Sequence, residues 1–305
     1  MTAAYYPSPR ERLADRLLWL ATSEEEDTVT LIRLSSFAEA QSLLTPENLW
    51  DYIYEVMEEQ VFFLDPDADL TPQASQEEIA ELGVQLALKG ISDSWSSPFD
   101  SRLQRLVDFD SPQADAAEEF LVAGPAPDWR DYMSTARNST GFGDWQSIPL
   151  IPGVFLSSEP QPGLPATLLL GNEDDFGDEE ATINASIRET GPMRVWEIDG
   201  PADWVRLVDA APAEATTSRD GYWGANETGW RWEIPDWEAV AEEFDAVHVT
   251  VNGYLDTSCV PLETGSGART MFVGWGPGIT VWLTPPKISW GPAFRVRRVD
   301  SALWV

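Results

Sequence analysis

Apolar residues recur at helical spacing through the first third of the chain and alternate with polar ones through much of the rest. Ser8-Pro9-Arg10-Glu11 has the form of a capping box with proline at the first helical position, followed by Leu13, Leu17, Leu18 and Leu20. The pattern predicts a helix to about Ala21, because the serine and glutamate side chains satisfy amides that a first turn leaves unpaired. Thr45-Pro46-Glu47-Asn48 opens a second helix, with Leu49, Ile53, Val56 and Met57 on one face. A third is expected from Ser75, whose box Glu78 completes, to about Gly90. Residues 28–34 and 61–64 are β-rich runs that predict short strands.

The small-residue and proline-rich stretch 122–127 is expected to divide an α-rich acidic domain, 1–122, from a Trp-rich domain, 127–305. In the second, strands are expected at 154–157, 166–170, 194–198, 246–251, 271–274, 280–284 and 293–299, with helices between them. The expected class is α+β: an α-rich N-terminal region, then a mixed, mostly antiparallel β-rich domain with a few helices. Asp-Trp recurs at Asp128-Trp129, Asp144-Trp145, Asp203-Trp204 and Asp236-Trp237, at unequal intervals and three times just after a proline. This predicts helix entrances, with the carboxylate at the positive end of the helix and the indole packed inward.

Composition sharpens the picture. The 305 residues are 43% hydrophobic and include 15 Trp and 12 Phe, enough for a core of ordinary proportions built on large rings. The formal charge is −33, and Lys89 and Lys287 are the only lysines. Such a field repels polyphosphate, which excludes nucleic-acid binding through a basic surface, and it draws in cationic proteins. A genome rich in Asp, Glu, Ala and Arg produces the same composition with no partner involved. Cys259 is alone, so no intramolecular disulfide is possible. The opening MTAAYYPSPRERLADRLLWLA lacks a basic head before an apolar run, and no stretch has the length of a membrane span. A cytoplasmic protein is expected.

His248 is the only histidine, so no zinc ligand set is expected and no metal is assigned. There is no Gly-x-Ser-x-Gly elbow, Walker lysine or strand-bound GxGxxG motif, and no cofactor is identified from the residues. Asp65-Pro66-Asp67-Ala68-Asp69 begins like a calcium loop but fails where Leu70 replaces glycine and Gln76 replaces glutamate. The acidic run holding Glu173, Asp174, Asp175, Asp178, Glu179 and Glu180 reads as a solvated loop and as the candidate partner-binding segment. Residues 234–255 predict a helix and then a strand. Val247, Val249 and Val251 would line its apolar face, and His248, Thr250, Asn252 and a continuing Tyr254 the other. That polar row is the candidate ligand cleft, with Ser157 or Ser158 as partners from another segment; a half-exposed sheet face with a satisfied histidine is the competing reading.

The segments PGVFLSS (152–158), RVWEIDGPADW (194–204), PDWEAVAEEFDAVHVT (235–250) and FVGWGPGITVWL (272–283) together resemble a family of uncharacterised actinobacterial and phage proteins. That family carries a Gly-Leu-Trp-Thr-Ser strand, an Asp-Ala-(Val/Ile)-His-Leu-Thr strand and a Gly-Trp followed by a Trp-Leu strand. The similarity spans about residues 129–284. Some relatives are reminiscent of ADP-ribosyltransferase folds, which implies NAD as a substrate and a cleft between two small sheets. Carried over residue by residue, it points to Ser157, Ser158, His248 and Thr250. PGVFLSS departs from the family's Trp-Thr-Ser, and no catalytic glutamate is matched. Three functions follow as expectations. The first is an acidic binding or inhibitory protein, of antitoxin, immunity or phage-inhibitor type, that engages a cationic macromolecule. The second is an NAD-consuming transferase, and the third a structural protein whose acidity is genomic.

Overall fold

Strands drawn from between residues 105 and 297 join in one sheet, and that arrangement decides where the site lies. The computed structural model describes residues 8–25, 28–33, 46–58, 75, 77, 93–109, 126–139, 145–170, 180–223, 229–299 and 304–305. The expected strand at 61–64, the Asp65–Asp69 segment, the bulk of the helix from Ser75, and Glu173 to Glu179 lie outside the described residues.

Helix α1 (Pro9–Leu18) starts at the expected box: the Ser8 amide donates to Glu11 Oε2 at 2.7 Å, and the Glu11 amide to Ser8 Oγ at 3.3 Å. It ends three residues before the expected Ala21, because Trp19–Glu25 (β1) pairs antiparallel with Thr28–Arg33 (β2). Helix α2 (Pro46–Glu58) buries Leu49, Ile53, Val56 and Met57, the face its spacing predicts. Arg10 of α1 then reaches Asp256 and the side-chain oxygen of Asn252, far along the chain.

The main sheet has seven strands. They are β3 (Arg105–Phe109), β4 (Phe155–Ser158), β5 (Glu180–Glu189), β6 (Val195–Ile198), β9 (Ala246–Val249), β12 (Ile279–Trp282) and β13 (Ile288–Arg297). Their order is β13-β5-β3-β4-β12-β9-β6. Every neighbouring pair is antiparallel except β6 with β9. The class is α+β. A parallel pair needs a long crossover. Here it runs through α4 (Pro201–Ala210), the hairpin β7 (Pro212–Glu214) with β8 (Glu233–Pro235), α5 (Thr216–Trp223) and α6 (Trp237–Glu243), and a separate short hairpin, β10 (Leu262–Glu263) with β11 (Arg269–Thr270), precedes β12. Two of the Asp-Trp pairs cap helices: Asp128 accepts from the Asp131 amide at the start of α3 (Trp129–Asn138), and Asp236 from the Ala239 amide at the start of α6. A third, Asp203-Trp204, lies in the first turn of α4, with Trp204 fully buried.

Three expectations are corrected. Residues 166–170 do not form a strand: Thr167–Leu170 is a 3-10 turn, pinned where Ser158 Oγ accepts the Leu168 amide and the Glu159 carbonyl accepts the Thr167 amide. Residues 271–274 contribute one isolated bridge at Phe272, and Gly274 turns the chain away with a positive φ of 81°. Finally, β3 precedes the expected boundary at 122–127 yet sits mid-sheet between β5 and β4, so the sheet draws on both sides of that boundary.

The sheet separates two apolar layers of unequal size. The larger contains Val247, Val249, Val281 and Ile198 together with Trp204, Trp232, Trp237 and Trp275. The smaller is Ala246, Trp282 and Ile288, flanked by Phe99, Phe155, Val195 and Met193. Cys259 is a buried thiol, 3.5 Å from Ser258 Oγ. Among the described residues, no helix is long and apolar enough to cross a membrane.

Candidate functional site

Residues opposite one another in neighbouring strands share a face of the sheet. Glu197 is the register partner of His248, His248 of Thr280, and Thr280 of Ser157. A polar row therefore crosses four strands on the side of the smaller apolar layer, and Glu159 extends it two residues beyond Ser157. The row expected along a single strand does not form. Strand β9 ends at Val249, and Thr250 becomes the N-cap of α7 (Val251–Thr257), its hydroxyl accepting the Gly253 amide and donating to Asp199 Oδ1.

The expected residues are thereby dispersed. Asn252 receives Arg10 and donates to Ser96 Oγ at 2.7 Å, while Tyr254 is fully buried in the larger core. Ser158 faces the opposite side from Ser157 and holds the 3-10 turn. Of the acidic run, Glu180 is described, and it pairs with Arg295 at 3.1 Å. His248 is 1% exposed, with Nδ1 2.9 Å from Thr280 Oγ1, so its side-chain partner is Thr280 and neither serine. The Phe99 ring lies edge-on to both His248 and Trp282, at 5.9 and 5.8 Å between centroids, and closes the histidine off.

Phe99 belongs to a cover, residues 97–104, laid across the polar row. Its hydrogen bonds run to carboxyl groups that sequence reasoning passed over. The Phe99 amide donates to Glu197 Oε1 at 2.9 Å, and the next amide, Asp100, donates to Glu159 Oε1 at 3.0 Å. Gln104 Nε2 also reaches Glu159 Oε1, at 3.1 Å, and its Oε1 accepts from Ser157 Oγ. Ser157 Oγ in turn accepts Trp282 Nε1 at 2.8 Å, which completes a chain from the sheet to the cover. The signal that was available in the sequence is the alternation of VWEI: Trp196 and Ile198 face one core, so Glu197 must face the other side with Val195.

Burial sets the electrostatics. It pushes Glu159 up to about 7, helped by the charge of Asp100 and opposed by the Asp100 amide and Gln104. It pushes Glu197 up to about 7 as well, opposed by the Phe99 amide and helped by Glu159, Asp199 and Asp203. The same burial depresses His248 to about 3, against a hydrogen bond to the backbone of Ile279. Glu159 and Glu197 are thus protonated over much of the range below neutrality, and the imidazole is neutral.

Beside the cover is a cleft of about 890 Å³, walled by residues 97–103, Glu189, Met193, Val195 and Glu197. It brings carboxyl groups and apolar side chains to one opening, a lining suited to cationic or polar groups carried on an apolar stem. A second cleft, of about 660 Å³, lies against α3 and residues 146–152 and includes Arg219. That guanidinium already donates to the Gln146 carbonyl and sits 5.4 Å from the Trp223 ring, so it serves the packing there. Among the described residues, no group of three or more His, Cys, Asp or Glu side chains is placed to hold a metal ion. No protein family, curated protein or solved structure matches this chain.

Proposed function

We propose that this chain is an acidic binding protein of the inhibitor type, which engages a cationic macromolecule. The carrying observation is where its few cations go. Arg10, Arg102, Arg137, Arg194, Arg206, Arg231, Lys287 and Arg295 each pair with a carboxylate of the same chain. Asp245 takes two of them. Burial alone would raise its carboxyl, but the Arg194 amide, Lys287 and the Arg194 charge outweigh that and hold it below the usual carboxylate range. These eight cations are engaged within the chain, and the whole carries a net charge of −33. A field of that sign speeds encounter with cationic partners and weakens as salt screens it.

The NAD-consuming reading asks for His248 on a cleft wall, and the burial of the ring beneath Phe99 withdraws that support. The test is titration with an arginine-rich peptide and with a neutral peptide of equal length, followed by calorimetry at low and high salt. Saturable binding of the cationic peptide at fixed stoichiometry, lost at high salt, supports the proposal. Binding that ignores salt, or equal binding of the neutral peptide, sinks it.

A further inference from the structure

We propose that the cleft beside residues 97–103 takes a lysine or arginine side chain of the cationic partner, carried on an extended segment that pairs with the open edge of strand β6. The inference rests on the acidic-binding reading above and names where that partner docks. β6 is the last strand of the sheet, and among the described residues no strand lies against its outer side. The Ala246 and Thr250 amides donate to the Arg194 and Ile198 carbonyls at 3.4 and 3.0 Å, so the even-numbered residues here turn their backbone groups to β9. In a parallel pair the residues between them point theirs the other way, which puts the amide and carbonyl groups of Val195 and Glu197 on the outer edge. Such an edge is a template for one more strand.

The cleft lies along the same strand. Met193, Val195 and Glu197, spaced by two, share one face of the chain and line it, and Phe99 and Leu103 add apolar wall. When a peptide adds to a sheet edge, main-chain hydrogen bonds hold it and its alternate side chains fall into pockets on one face. Here that face leads to Asp100, Glu189 and Glu197, set against one lining cation, Arg102, which is already paired with Asp100. Long basic side chains suit this lining, because their methylene stems pack on apolar surface while the charged head reaches a carboxylate. Glu197 Oε2 is buried without a hydrogen-bond partner, and an N–H donor entering the cleft would meet that need.

Charge decides between occupants. A second copy of this chain also carries −33, so two edges brought together meet mutual repulsion. An acidic segment would set like charges against the carboxyl groups of the cleft, at a cost that suppresses wrong partners. The edge strand has four residues, which gives few backbone bonds, so the side chain in the cleft has to supply the selectivity.

Calorimetry on the whole chain tests this with a short peptide that has arginine at alternate positions. A second peptide of the same sequence, N-methylated throughout, keeps the charges and loses every backbone donor. The first should bind at fixed stoichiometry, and methylation should weaken binding by at least about tenfold, since it removes the edge pairing. Glu197→Gln keeps an acceptor for the Phe99 amide but loses the charge, and Val195→Pro removes an outward N–H; each should weaken the first peptide by about tenfold or more. Glu214→Gln, an exposed charge removed from β7, should change affinity by less than about threefold. Equal binding of the two peptides, or a loss in Glu197→Gln no larger than in Glu214→Gln, overturns the proposal. The methylated peptide is used on the wild type, so it decides even where a substitution unfolds the chain. If both peptides bind alike and salt abolishes the binding, the docking site falls and the acidic-binding reading stands; if neither binds, both fall.

Discussion

Glu197 and His248 lie side by side in register on the parallel strands β6 and β9, and burial moves their ionisations in opposite directions. An acid loses its charge on burial by rising, and a base by falling. Glu159 and Glu197, raised to about 7, contribute stability that is complete below their unfolded value and is lost as pH rises through about 7. His248, depressed to about 3, contributes stability that is present above its unfolded value of 6.5 and is lost as pH falls toward about 3. Thermal melts across pH should show both limbs. Glu197→Gln should gain on the order of 1 kcal/mol relative to wild type between about pH 4 and pH 8, since partial exposure screens the charge. His248→Gln should flatten only the acid limb. A Glu197→Gln difference that is the same at every pH would contradict the burial argument.

Gly253 determines how closely α7 approaches β6. A Cβ there would meet the Ile198 carbonyl oxygen at 2.2 Å and its carbon at 2.9 Å, both backbone atoms that cannot swing aside. Gly253→Ala should therefore cost about 3 kcal/mol, the upper part of the range for overpacking a buried site. It should also disturb the Thr250 cap, whose hydroxyl holds the Gly253 amide. Denaturant unfolding gives the number, and a change under about 0.5 kcal/mol would mean the helix has room to move.

Ser147 ties the tryptophan-rich core together. Its hydroxyl donates to the Val273 carbonyl and accepts both the Val273 amide and Trp275 Nε1, while its carbonyl accepts Trp237 Nε1. Ser147→Ala would leave the indole N–H without its hydroxyl acceptor inside a fully buried cluster with Trp204 and Phe272. The expected loss is about 2 kcal/mol, the cost of an unmet buried donor. Equilibrium unfolding followed by tryptophan fluorescence measures it, and a neutral outcome would show that the site relaxes.

A cut between residues 122 and 125 should not release a free N-terminal piece. Strand β3 pairs along its length with β5, and Arg10 bonds to Asp256 and Asn252 on α7. After limited proteolysis the two fragments should elute together in native buffer and part only in denaturant. Fragments that separate under native conditions would restore the division into independent units.

Local features were readable because the side chains that decide them are neighbours in sequence. The Ser8–Glu11 box, the Asp128 and Asp236 caps, and the inward face of α2 each involve residues within a few positions of one another. The alternation of Val247 and Val249 likewise identifies the face turned to the larger core. Where the strand stops was not readable from alternation. Val251 keeps the apolar pattern going, but the hydroxyl of Thr250 caps a helix instead. The site itself depended on pairing order. Alternation tells which face a side chain takes but not which strand lies beside it. Glu197, His248, Thr280 and Ser157 become a row only because β6, β9, β12 and β4 are adjacent. Composition determined the sign and size of the charge and the stock of large rings for the core. Tertiary structure alone decided that two glutamates would be buried under residues 97–104, because burial depends on what packs above a residue and not on its neighbours in the chain.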